Sequence, residues 1–131
     1  MEYLVEGSPK KAEFVRAILP SMIKQLGLRN SRKSLLVRIA NECEGMGMTV
    51  PLNGLDSYVV VVKPMKLKDL GLTLAHEMVH VRQMSKGILQ IVNGINYWCG
   101  KSYTKKTKYL EQPWELDAFA RQEIIFRKAI E

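Results

Sequence analysis

The clearest helical patterning lies between Lys66 and Gly87. There Leu67, Leu70, Leu74, Met78 and Val81 recur at three- and four-residue intervals and share one side of an α-helix. A second helix is expected from Ser8, as N-cap, with Pro9 in its first turn, to about Gln25. Phe14, Ala17, Ile18 and Met22, with Leu26 beyond, make its apolar stripe, and Gly27 supplies a stop. Pro20 should kink or split this helix, because proline has no N–H and its ring crowds the preceding turn. A third helix runs from Trp114 to about Ala129, with Pro113 at its first turn and no internal breaker.

Alternation and β-branched residues predict strands over Ser34 to Ala40 and over Ser57 to Val62, the latter the purest β signal in the chain. Between them lies a turn-rich segment through Gly45, Gly47 and Pro51, and Asn53-Gly54 marks a turn without fixing a hairpin. Ile88 to Val92, Asn93-Gly94 and Ile95 to Trp98 predict a compact hairpin. Gly100 and a lysine-rich segment then form a loop leading to Pro113. The pattern is that of a single α+β domain over residues 1–131.

Composition narrows the setting. A length of 131 residues supports one hydrophobic core, and 47% apolar with 25% charged residues is ordinary globular usage. No apolar run approaches a membrane span, and Met1 to Glu6 lacks the character of a signal peptide, so a cytoplasmic location is expected. Cys43 and Cys99 form no CxxC pair and read as free thiols. The net charge of +7 concentrates in Lys101, Lys105, Lys106 and Lys108, around Tyr103 and Tyr109, with a smaller group at Arg29, Arg32 and Lys33. A solvated loop is the simpler meaning; weak association of the Lys101 to Lys108 segment with nucleic acid is the other.

The candidate chemistry sits in the central helix. His76-Glu77-Met78-Val79-His80 contains the chain's only two histidines. On a helix they lie about 40° apart on one face and can reach one metal ion, while Glu77, about 100° round from His76, suits a general base. The ordinary alternative is an amphipathic helix that carries two histidines by accident. Against it, the apolar stripe lies on the opposite side, so the histidines are not needed to fill the core. Their own face, with Asp69, Leu72, Thr73 and Gln83, must be covered by something else.

Catalytic zinc usually takes three protein ligands and a water, which leaves one ligand to find. In the last helix Glu115 shares a face with Ala118, Phe119, Gln122, Phe126 and Ala129 and so projects from the buried side. A carboxylate there needs a partner, since an unpaired buried charge costs several kcal/mol, roughly. Asp117 falls on the other side, paired with Arg121 and facing solvent; Glu111 is the fallback ligand.

These segments, with Pro113-Trp114-Glu115-Leu116-Asp117-Ala118, resemble a minimal gluzincin, and the span from Trp98-Cys99-Gly100-Lys101 to Glu115 is similar to small phage-encoded and SprT-like metallopeptidases. The resemblance covers about residues 34 to 130 and implies a zincin-like fold with one Zn²⁺ per chain, held by His76, His80 and Glu115. It also implies that Ser57 to Val62 presents an edge to which an extended peptide adds. Larger gluzincins often carry an acidic residue four positions after the glutamate ligand; here that position is Phe119, so Gln83, Asp69 or Gln122 must support the histidines instead.

The expected activity is zinc-dependent hydrolysis of peptide bonds, with Glu77 as base and Tyr109 the first choice of oxyanion donor, Tyr97 and Tyr103 behind it. The rival expectations are a catalytically silent structural protein of the same fold, such as a virion component, and a nucleic-acid-associated protein working through its basic loop.

Overall fold

The computed structural model describes every residue, 1–131, as three helices and two sheets. The larger sheet contains β1 (Glu2–Glu6), β2 (Ser34–Ile39), β3 (Gly47–Leu52) and β4 (Ser57–Val62), in spatial order β1-β2-β4-β3. β1, β2 and β4 run parallel, and β3 is antiparallel to β4 at the edge. The smaller sheet is a meander of β5 (Leu89–Val92), β6 (Ile95–Trp98) and β7 (Lys101–Tyr103). The helices are α1 (Pro9–Gln25), α2 (Leu67–Ser85) and α3 (Pro113–Ile130).

β4 is rich in valine because it is central. Tyr58, Val60 and Val62 face the helices, and Val61, on the other face, is buried as well. The sequence-based expectation that Ser57 to Val62 offers a free edge therefore fails: β2 and β3 flank it on both sides. The edges of the sheet are β1 and β3, the latter in the segment expected to be merely turn-rich. Pro51 fits this position, since proline is tolerated on edge strands. The supposed lead before Pro9 is also a strand, β1, and part of the lysine-rich segment pairs with β6 as β7.

α1 is continuous through Pro20, which stands on its exposed side, so the expected split does not occur. Its buried stripe is Ala12, Val15, Ile18, Leu19, Met22 and Ile23. Phe14 is only half-buried and Ala17 is exposed, which rotates the stripe from the expected one. α2 begins and ends where the pattern placed it. At its end Gly87 takes φ 72°, a left-handed conformation open to glycine, and the Ile88 N–H reaches back to the Gln83 carbonyl (2.8 Å).

One core of 27 buried residues joins the inner face of the larger sheet to α1, α2 and α3. α2 packs on β3 and β4 on one side and on α3 on the other, so it is buried almost all round, histidines included. Trp114, Ala118, Ile125 and Phe126 are the inward residues of α3. Burying each of the three large ones contributes about 1.5–3 kcal/mol. The fit is closest at Gly71, where a Cβ would overlap the Phe126 ring. No helix is long and apolar enough to cross a membrane.

Candidate metal centre

The α2–α3 contact brings His76 and His80 of α2 against Glu115, in the first turn of α3. All three are buried, and their ligating atoms lie within 4.8 Å of one another. His76 Nε2 is 2.8 Å and His80 Nε2 3.2 Å from the same carboxylate oxygen, Glu115 Oε1. The Tyr109 hydroxyl, from the short 3₁₀ turn before α3, donates to that oxygen at 3.2 Å. Glu111, in the same turn, is exposed and stands apart from the cluster.

The opposite ring nitrogens are committed to glutamines. His80 Nδ1 lies 2.8 Å from Gln83 Oε1, and His76 Nδ1 2.8 Å from Gln122 Oε1. The orientation of Gln83 is fixed by its other end: Nε2 donates to the Trp114 carbonyl (2.9 Å) and to Asp117 Oδ2 (3.0 Å). Its carbonyl oxygen must then face His80, whose Nδ1 carries the proton. A neutral His80 turns its Nε2 lone pair toward Glu115; Gln122, beside His76 Nδ1, makes no second hydrogen bond that would fix its amide in the same way. A lone pair aimed at a carboxylate is repelled unless a proton or a metal ion lies between them.

If both Nε2 atoms carry protons while both glutamine carbonyls hold Nδ1, the result is two imidazolium rings whose centroids are 5.0 Å apart. Their repulsion is about 3 kcal/mol at an effective dielectric near 20. One divalent cation satisfies all three ligand atoms with both rings neutral, and two histidines plus a carboxylate is a donor set that suits zinc. By donor type the three residues could hold such an ion. The same contacts set the electrostatics of the cluster. Burial works to raise the Glu115 carboxyl, but hydrogen bonds from His76 and His80 outweigh it and hold it down at about 2. Burial opposes charge on His80, yet the hydrogen bond and charge of Glu115, with Gln83 and Glu77, raise it above the usual histidine range.

Glu77 is buried beside the cluster and reaches the same cavity of about 270 Å³ as His80, Glu115 and Tyr109. Thr49 of β3 donates to its Oε1 at 2.8 Å. Burial pushes the Glu77 carboxyl up, and the charge of His80 and the Thr49 hydrogen bond only partly offset that. Tyr109 keeps its proton firmly: burial and the Glu115 charge push the phenol up to about 12.

Of the residues expected to support the histidines, Gln83 and Gln122 do so, and Asp69 is exposed in the first turn of α2. Phe119 packs against His76, ring centroids 4.6 Å apart, where an acidic residue was absent from the motif. Asp117 is not simply solvent-facing. It pairs with Arg121 as expected (2.6 Å) but also holds Gln83. Tyr103 packs on Trp114 rather than entering the cavity, while Lys105, Lys106 and Lys108 are exposed. Cys43 and Cys99 are free thiols outside the cluster. Thr49 was not foreseen: the signal was a threonine in an edge strand that glycine and proline disguised as turns. No family model, curated protein or solved structure matches this chain.

Proposed function

We propose that the protein is a zinc-dependent peptidase in which His76, His80 and Glu115 hold the metal and Glu77 is the general base. The observation that carries this reading is the convergence of two imidazole Nε2 atoms on one buried carboxylate oxygen while glutamine carbonyls occupy Nδ1. Zinc bound there supplies Lewis-acid chemistry, bringing a water's pKa to about 7.

The chain's own groups then have separable tasks. Glu77, raised by burial and oriented by Thr49, takes a proton from the attacking water and passes it to the leaving amine as the C–N bond breaks. Tyr109, whose phenol stays protonated, donates to the developing oxyanion. β3 supplies the free strand edge beside Glu77 along which an extended peptide lies. A purely structural zinc site has no need of a buried carboxylate next to its ligands, which weighs against the silent alternative. The exposed Lys105, Lys106 and Lys108 keep weak nucleic-acid association as a second reading, recognisable by steep salt dependence.

The test is zinc content and affinity of the full chain beside His76→Ala and Glu115→Ala, followed by Glu77→Gln assayed on a proteome-derived peptide mixture. One zinc per chain, lost or much weakened in the first two variants, is expected. Glu77→Gln should retain zinc and lose cleavage. Zinc unchanged in Glu115→Ala, or cleavage surviving in zinc-loaded Glu77→Gln, overturns the assignment.

A further inference from the structure

Beside the cleft at the proposed metal ligands lies a second cavity that the proposed chemistry leaves unused. The two share Met84, Leu89 and Ile91 as a common wall. The second, about 400 Å³, is closed on its far side by Pro51, Leu52 and Leu55 from the end of β3 and the turn after it. Its only polar side chains are Asn53 and Gln90, and no charged residue lines it. A charged group entering it would lose its water and find no partner, whereas an aliphatic or aromatic group gains by burial.

Two further observations point to a ligand. Leu52, Ile91 and Val92 at its rim are about half exposed, 43%, 55% and 50%, so the cavity opens to solvent through an apolar rim. Met84, whose flexible thioether adapts to differently shaped guests, stands one helical turn beyond His80, about 6 Å along the axis of α2. Alternate side chains of an extended peptide repeat at about 6.6 Å. A residue bound over Met84 is therefore within two positions of the bond presented to the metal ligands.

The direction follows from β3. Thr49 contacts Glu77, and the strand then runs toward Leu52 and this cavity. Antiparallel addition is the more stable pairing, and a peptide so aligned has its N-terminal part at the Leu52 end. We infer that this cavity, walled by Met84, Leu89 and Ile91, is a specificity pocket for a bulky apolar side chain within two residues N-terminal to the scissile bond.

The inference rests on the peptidase reading, and its test separates the two. The probes are N-acylated amino-acid hydroxamates carrying leucine, phenylalanine, aspartate or lysine side chains, which chelate a metal and extend their side chain on the N-terminal side. Binding is measured on the zinc-loaded full chain and on Leu52→Glu and Ile91→Glu, both rim positions exposed enough to accept a charge without unfolding. Leucine and phenylalanine probes are expected to bind at least tenfold tighter than the aspartate probe. Each variant should erase that preference and improve the lysine probe several-fold, with zinc affinity unchanged. Equal binding across the series, or a preference that neither variant alters, overturns the pocket. A chain that takes up no zinc, and binds no probe, overturns the metal reading and the pocket together.

Discussion

Gln83 is fully buried, and its amide joins three groups: it accepts from His80 and donates to the Trp114 carbonyl and to Asp117. Leucine in its place would strand the His80 Nδ1 proton and free the ring to turn. Support of this kind is worth about 10- to 100-fold in metal affinity. Gln83→Leu should therefore weaken zinc by that factor in a chelator competition, with a smaller stability loss by thermal melt. Thr49 acts on the base in a comparable way. Its hydrogen bond lowers the Glu77 carboxyl against the larger upward push of burial. Thr49→Val removes the lowering contribution, so Glu77 gains protons at higher pH. The acid limb of a kcat/KM profile should then move upward; a limb that stays or moves down would separate Thr49 from the base.

At the scale of elements, the contact between α2 and α3 sets the whole cluster, because two of the three candidate ligands ride on one helix and the third on the other. Gly71 lies in this contact, under the Phe126 ring, with no room for a Cβ. Alanine gains about 1 kcal/mol of helix propensity there, but overpacking costs about 1–3 kcal/mol and displaces α3. Gly71→Ala is expected to lower the melting temperature by a few degrees and to weaken zinc, although the residue touches no ligand.

The same helices were the legible part of the sequence. A 3.6-residue repeat in α2, a proline start in α3 and the Asn-Gly turn between β5 and β6 are local signals, and the structure follows all three. β3 was not legible because Met48, Val50 and Leu52 are apolar yet face outward, while Gly47 and Pro51 read as turn residues. β1 was missed for another reason: its partner β2 lies about thirty residues away, and such parallel pairing leaves no trace in neighbouring positions. The glutamine supports could be named among candidates but not chosen, since Gln122 meets His76 only through the packing of two helices.

For the whole molecule, the metal reading makes a prediction about how stability follows pH. In the metal-free chain Glu115 falls from an ordinary 4.5 to about 2, so its contribution is complete above pH 4.5 and is lost as pH falls toward 2. His80 is raised above 6.5, so its contribution is complete below 6.5 and is lost as pH rises through the raised value. Glu77, raised above 4.5 by burial, contributes a loss of its own that begins above pH 4.5 and is complete above its raised value. Metal-free protein should thus be most stable at mildly acidic pH and weaken toward pH 8. Zinc reverses the sign of that slope. It requires both imidazoles neutral, protons compete with it, and its stabilisation of RT ln(1 + [L]/Kd) grows as the histidines deprotonate. Melting curves with zinc and with chelator should therefore diverge steadily from pH 5.5 to 8. Zinc at 100 times Kd should add about 2.7 kcal/mol at the upper end. Parallel curves would mean that the two histidines and Glu115 hold protons rather than a metal, and that the cluster is a buried ion network serving the α2–α3 contact alone.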